Sequence, residues 1–279
     1  MEYIRIMKIT YLGTAAAEGF PALFCRCEYC VEARRLGGKN IRTRSQSIIN
    51  GDLLIDFPQD SYMHFLNNGI EADKIKYLLV THGHRDHFYF DDLDCRHGAF
   101  AHNMSVPTLK VIGSATTFKG IAKMPPNVEL QVIGAFETIE LDGYKVTALP
   151  ARHMPGGEAL NYIIESEDAT LLYAHDTGYP YEDTFRFIEE KKIRFDMVSL
   201  DCTNVDIPIS DEGSHMGFDN ISRVLTRLRE MGCTDDKTVC CVNHFSHNGN
   251  PIHSHLEERA KTVGCSVSYD GFSVEFGRG

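Results

Sequence analysis

No apolar run in the 279 residues approaches the roughly 18 that a membrane-spanning helix needs, so no membrane partner is expected. Cations are in short supply: 28 lysines and arginines face 39 acids, for a formal charge of −11. That balance argues against a broad phosphate-binding surface. No basic arm interrupts the chain, so long nucleic acids are not expected as partners either. A small phosphorylated substrate stays compatible, because metal charge can dominate locally inside a cleft. No Pro- or Ser-rich linker divides the chain, and one domain spanning residues 1–279 is expected. The segment Met1-Glu2-Tyr3-Ile4-Arg5-Ile6-Met7-Lys8 lacks the apolar core and small-residue cleavage site of a signal peptide, which makes the cytoplasm the expected location. The nine cysteines are too odd a number for a secreted disulfide framework. A homodimer is admitted, but nothing in the chain specifies it.

What the chain does have is concentrated in Thr81-His82-Gly83-His84-Arg85-Asp86-His87. Three imidazoles and a carboxylate follow the apolar run Ile75 to Val80, which reads as a short buried strand, so the candidate ligands stand at a strand's carboxyl end. Four groups this close cannot all serve one tetrahedral ion without severe backbone strain. They can serve two neighbouring ions if each ion takes further ligands from elsewhere. Solvated loop histidines are the bland alternative, and the His-x-His-x-Asp-His spacing speaks against them. A second cluster, Cys25-x-Cys27-x-x-Cys30, has the spacing of thiolate ligands in a reducing compartment.

The pattern along the chain is mixed α/β. Strands are expected at Lys8 to Leu12, Ser45 to Asn50, Asp52 to Phe57, Leu109 to Ile112, Val128 to Ile133, Glu137 to Leu141, Tyr144 to Leu149, Leu160 to Glu165, Thr170 to Ala174, Phe195 to Leu200 and Thr238 to Val242. Asn50-Gly51 is a strong hairpin signal, and a closing hairpin is read around Asp270-Gly271. Helices are expected at Val31 to Arg35, Ser61 to Asn67, Ala115 to Ala122, Tyr181 to Lys191, Phe218 to Met231 and Ile252 to Val263. In the helix of Phe218 to Met231, Ile221, Val224, Leu225 and Leu228 share one face and read as core. Two packed sheets covered by outer helices fit this order. The missing metal ligands should be histidines or carboxylates just after later strands. His153, Asp176 and His244 each end an apolar run in this way.

With those residues in place the chain resembles the metallo-β-lactamase superfamily over nearly its whole length. The resemblance implies a four-layer αβ/βα sandwich of two mixed sheets flanked by helices. It also implies that His82, His84 and His153 hold one ion, that Asp86, His87 and His244 hold the other, and that Asp176 bridges them. A narrower resemblance rests on Gly13-Thr14, Gly19-x-Pro21, the three cysteines and His244-Phe245-Ser246-His247. These are similar to the PhnP-type phosphodiesterases of the carbon-phosphorus lyase pathway, which implies a structural zinc on Cys25, Cys27, Cys30 and His247 in a loop inserted near the N-terminus. His253 is the rival fourth ligand. The resemblance further points to His215 for leaving-group protonation or phosphate contact, and to Asp201 as an orienter of a ligand histidine. His175 should point away from the site, and His64, His97, His102 and His255 carry no ligand pattern.

The activity expected from the resemblance is hydrolysis of a small phosphodiester, cyclic ones included, with a metal-bridging hydroxide as nucleophile and Asp86 and His215 as catalytic residues. Imidazole and carboxylate donors accommodate zinc, manganese or iron, so the donors do not name the two divalent ions. Asp176 stands where many true β-lactamases of the superfamily carry cysteine, which favours phosphoester chemistry over antibiotic hydrolysis. A thioester or lactone hydrolase is the alternative enzyme, and a metal protein of a cofactor pathway, similar to those of pyrroloquinoline quinone synthesis, is the non-catalytic alternative. Phe88-Tyr89-Phe90-Asp91-Asp92 replaces the small residue and glycine of many relatives, and is expected to line and narrow the substrate pocket.

Overall fold

The computed structural model describes residues 6–121, 123–154 and 158–277. Met1 to Arg5, most of the N-terminal segment read above, lie outside the described residues. Two seven-stranded mixed sheets face each other. The first, in spatial order, holds β14 (Phe272–Phe276), β1 (Met7–Gly13), β2 (Gln46–Ile49), β3 (Leu53–Ile55), β4 (Tyr77–Leu79), β5 (Leu109–Gly113) and β6 (Val128–Val132). The second holds β13 (Ser266–Val267), β12 (Val239–Asn243), β11 (Met197–Asp201), β10 (Thr170–Ala174), β9 (Leu160–Glu165), β8 (Tyr144–Pro150) and β7 (Thr138–Leu141). The helices are α1 (Glu28–Leu36), α2 (Ser61–Asn68), α3 (Glu182–Glu190), α4 (Phe218–Glu230) and α5 (His253–Thr262). Among the described residues no helix is long and apolar enough to cross a membrane.

Strand alternation builds the layers. In β10, Leu171 and Tyr173 point between the sheets, where they meet Tyr11, Ile49 and Ile55 of the first sheet, whereas Leu172 and Ala174 point outward. The outward face is covered by Phe185 and Ile188 of α3, Ile221, Val224 and Leu228 of α4, and Leu256 and Ala260 of α5. Both faces of the strand are therefore apolar, as expected where helices back a sheet. On the first sheet's outer face Leu54, Leu78 and Val111 pack with Phe65 of α2. The result is the αβ/βα sandwich expected from the sequence.

Three expectations change. Residues 115–120 form successive turns rather than a helix, because Gly120 takes φ +96° and the Ser114 hydroxyl captures the Thr117 N–H at 3.2 Å; Ala122, the end of that expected helix, lies outside the described residues. The turn at Asp270-Gly271 does not close a hairpin. β13 runs parallel to β12 in the second sheet, β14 runs antiparallel to β1 in the first, and the turn carries the chain between sheets. It is pinned there by Asp270, which accepts the Thr14 hydroxyl and the Thr43 N–H at 2.7 Å each. Phe88 is buried, with its ring against Phe90 and Phe118, so it joins the core behind the first sheet instead of lining a pocket. A parallel bridge between Phe57 and Phe88 turns it that way. The Asn50-Gly51 hairpin is present: Ile49 pairs with Leu53, and Asn50 and Gly51 between them take left-handed backbones with φ of +49° and +84°.

Candidate metal centre

Strands β3, β4, β10, β11 and β12 all end at one edge of the sandwich, and each delivers a polar residue there. Three of these residues, Asp56, Asp176 and His244, have left-handed backbones with φ of +64°, +53° and +66°. Such a conformation costs a non-glycine residue free energy and is retained when the surroundings over-determine it, which directs attention to this edge.

Asp176 is the centre of the group. Its Oδ2 lies 3.2 Å from His82 Nε2, 3.1 Å from His87 Nε2 and 3.9 Å from His244 Nε2. Its Oδ1 lies 3.2 Å from His153 Nδ1 and 3.1 Å from His215 Nδ1. His84 Nδ1 is 2.8 Å from His82 Nε2 and 3.2 Å from His153 Nε2, and Asp86 Oδ2 is 3.3 Å from His87 Nε2. The structure thus brings together all seven residues expected at the dinuclear site. One donor atom from each of His82, His84, His153 and Asp176 lies within 4.8 Å of the others, and the same holds for Asp86, His87 and His244.

The hydrogen bonds behind these rings determine which nitrogens are bare. Thr81 spends its one hydroxyl proton on Asp56, so His82 Nδ1 donates to Thr81 Oγ1 at 3.0 Å. His87 Nδ1 donates to Asp56 Oδ2 at 2.7 Å. Thr203 bonds the Asp201 carboxylate and the His244 carbonyl with its own proton, so His244 Nδ1 donates to Thr203 Oγ1 at 2.8 Å. Three Nε2 lone pairs therefore converge on one carboxylate oxygen. That arrangement is repulsive unless a cation lies among them, and the same second contacts fix ligand histidines in metal sites generally. A further mark is Asp176 Oδ1, which is buried and lacks a hydrogen-bond partner despite the two imidazoles near it. The donors fit divalent ions that accept nitrogen and oxygen.

The charges fit as well. Burial opposes ionisation of Asp176, but His244, His215, His82 and His87 outweigh it and hold the carboxyl well below the usual range. Asp201 is lowered in the same way by His215 and His244 against its burial. Burial, aided by the neighbouring imidazoles, depresses His153 to about 4 although Asp176 opposes the shift. His215 goes the other way: burial opposes its charge, yet Asp176 and Asp201 raise it to about 10. His215 sits at the edge of the group, 3.6 Å from Asp201 Oδ2, and its ring is 5.0 Å from that of His153.

Asp201 holds His244 Nδ1 at 3.3 Å and accepts the N–H groups of Asp176, Thr203 and Met216, tying the loop of His215 to the strand end. Asp56, Thr81 and Thr203 were not foreseen. Asp56 follows Leu53-Leu54-Ile55, and so obeys the same rule of an apolar run ending in a carboxylate that singled out Asp176; the two threonines carry no comparable signal. His175 points away, bonded to Ser199 Oγ at 2.7 Å and Asn243 Nδ2 at 3.1 Å. His64 is buried between Gln46 and Thr43, and His255 meets Asp206.

The sulfur atoms of Cys25, Cys27 and Cys30 and a ring nitrogen of His247 also lie within 4.8 Å of one another. His247 Nδ1 faces Cys27 Sγ at 3.7 Å, and Cys25 and Cys30 each receive a backbone N–H at 3.3 Å. His253 is elsewhere, with its Nδ1 3.0 Å from Arg42 Nη2, and is not part of this group. The strand-end segment carrying both His244 and His247 is zipped to residues 14–16 through Phe245, which joins the two candidate centres.

Comparison with known proteins agrees with the fold. No curated protein sequence matches the chain. Among solved structures it is similar to a new diphosphatase from the PhnP family, with 22% identity, a TM-score of 0.72 and 98% of each chain covered. It is also similar to the metallo-β-lactamase fold protein YhfI from Bacillus subtilis, with 18% identity, a TM-score of 0.69, and 96% of this chain and 99% of that one covered. A third likeness is to Zn2+-bound PqqB from Methylobacterium extorquens, with 16% identity, a TM-score of 0.70 and the same coverages. The model of the beta-lactamase superfamily domain matches residues 54–245, from the strand before Asp56 through His244, and the chain belongs to that superfamily, in its metallo-β-lactamase fold.

Proposed function

We propose that the chain is a dinuclear metal-dependent hydrolase acting on a small phosphodiester, cyclic ones included. The observation that carries this reading is the convergence of three bare Nε2 atoms on Asp176, whose other oxygen is buried without a hydrogen bond. In this reading His82, His84 and His153 hold one ion, Asp86, His87 and His244 the other, and Asp176 bridges them. Two divalent ions so held would supply hydroxide at neutral pH and offset the charge of a phosphodiester. The protein's own part is orientation and proton supply. Asp56, Thr81, Asp201 and Thr203 hold the ligand rings, and His215, kept charged by Asp176 and Asp201, offers a proton to the leaving oxygen. Cys25, Cys27, Cys30 and His247 would hold a structural zinc that fixes the N-terminal loop beside His244. The similarity to a diphosphatase supports phosphoester chemistry, and the similarity to a zinc-bound protein supports zinc among the ions. Free thiols suit a cytoplasmic setting, and the acidic chain suits a small substrate rather than a long nucleic acid.

The test is hydrolysis of bis(4-nitrophenyl) phosphate by protein loaded with zinc or manganese, beside His84→Ala. Turnover that collapses in the variant supports the reading. Equal rates in the two proteins, or none in either, would sink it, and activity confined to thioesters or lactones would establish the alternative hydrolase.

A further inference from the structure

Outside the knuckle the chain carries Cys95, Cys202, Cys233, Cys240, Cys241 and Cys265, all free thiols. Two of them face each other at the margin of the second sheet. β12 and β13 run parallel with Cys241 opposite Ser266 and Val242 opposite Val267, so one step back along that register Cys240 stands opposite Cys265. Residues paired in this way share a face of the sheet, and both side chains lie against the outer core that α5 covers. Neighbouring strands run about 4.8 Å apart, inside the Cα spacing of about 4.4–6.8 Å that a disulfide spans without moving the backbone.

The segment that holds Cys265 also props the metal edge. Gly264 ends α5 with φ +73°, and the Cys265 N–H returns to the Ala260 carbonyl at 3.0 Å. Past β13, the Ser268 N–H donates to the Val242 carbonyl at 3.1 Å and its hydroxyl to Asn243 Oδ1 at 2.6 Å, directly before His244. β13 is two residues long and lies at the edge of its sheet, where a ladder opens most readily.

The two thiols are chemically unequal. Cys265 donates its S–H to the Cys240 sulfur, and this bond lowers Cys240 from the ordinary thiol range against its burial while raising Cys265. Cys240 is the nucleophile of the pair. Both are half-buried and within reach of a small oxidant, whereas burial between the sheets pushes Cys241 up to about 12.

We propose that Cys240 and Cys265 form a redox clip: a peroxide or a low-molecular-weight disulfide converts them to a disulfide that fastens β13 to β12 behind His244. With hydrogen peroxide the Cys240 thiolate attacks one oxygen, the O–O bond breaks, and water leaves a sulfenic acid behind. The Cys265 sulfur then attacks the Cys240 sulfur, the S–O bond breaks, and the thiol proton leaves with that oxygen as a second water. With glutathione disulfide the thiolate attacks sulfur instead, and two glutathiones leave.

The test equilibrates metal-loaded protein with glutathione and its disulfide, alkylates the remaining thiols and reads a tryptic digest by mass spectrometry, which places Cys240 and Cys265 in separate peptides. The expected result is a cross-link between them that dithiothreitol reverses, with a thermal midpoint about 5 °C or more above that of the reduced protein and slower amide exchange at Ser268. Cys240→Ser and Cys265→Ser should each abolish the cross-link and the redox-dependent shift, whatever their own reduced midpoints. Any zinc lost from the knuckle is lost from the variants as well, so the difference from wild type belongs to this pair. Recovery of both thiols alkylated under glutathione disulfide, or a cross-link of either to another cysteine, overturns the proposal. A cross-link that moves neither the midpoint nor the exchange rate overturns it too, since nothing is then fastened.

Discussion

Asp56 accepts the Nδ1 proton of His87 at 2.7 Å from across the sheet, and in doing so turns the His87 Nε2 lone pair toward Asp176. The pair is wholly buried. Replacing Asp56 by Asn keeps the shape and removes the charge. The ion on the side of Asp86, His87 and His244 should bind about 10- to 100-fold more weakly, read by competition with a chromophoric chelator. Unaltered affinity would restrict Asp56 to holding Thr81.

His215 sits against two carboxylates and is proposed to carry the proton that the leaving oxygen needs. His215→Gln should lower kcat about 10²- to 10⁴-fold for an alkyl phosphodiester, and much less for a 4-nitrophenyl ester, whose leaving group needs no proton. Metal content should stay at the wild-type level. A deficit equal for both esters would assign His215 to phosphate contact instead of proton transfer.

The cysteine knuckle is tested by Cys27→Ser. Removing the thiolate nearest His247 should reduce bound metal from about three ions per chain to about two and lower the thermal midpoint, because the energy of a structural zinc is folding energy. Metal analysis by mass spectrometry together with a melt decides it. Three ions retained in the variant would remove the knuckle from the list of metal sites.

A pH effect on stability should come from a histidine far from any ligand role. Burial lowers His64 to about 4, between Gln46 and Thr43. Above pH 6.5 it is neutral in folded and unfolded chains alike. As the pH falls from about 6.5 to about 4 the unfolded chain takes up the proton and the folded one does not, so stability is lost across that window. At pH 5 this amounts to about 2 kcal/mol. Denaturant unfolding at pH 7 and pH 5 should show a smaller loss for His64→Gln than for wild type. Equal losses would mean that His64 is protonated in the fold.

The site was legible to the extent that a ligand occupies a strand end. His82, His84, Asp86 and His87 are adjacent in sequence because one loop must present them, and His153, Asp176 and His244 each close an apolar run whose alternation marks a strand. Most strands were legible along the chain too, since apolar side chains on both faces leave a period-2 or continuous apolar signal, whereas their order within each sheet was not. The failures were local. The stretch from Ala115 to Ile121 has helix-forming composition at its start, but one serine hydroxyl and one glycine in the left-handed region decide against the helix.

Of the residues that stand behind the ligands only Asp201 was expected, and that from the resemblance; the local pattern of the chain supplied none of them. Asp56 and Thr81 are 25 residues apart, and Asp201 and His244 are 43 apart; only sheet register brings either pair to hydrogen-bond distance. The same holds for the crossing at Asp270, where β13 and β14 go to different sheets although the local pattern is that of a hairpin. Residue type and short spacing carry the chemistry that one loop can hold. Tautomer and burial depend on neighbours far away in sequence, and those exist only once the two sheets have packed.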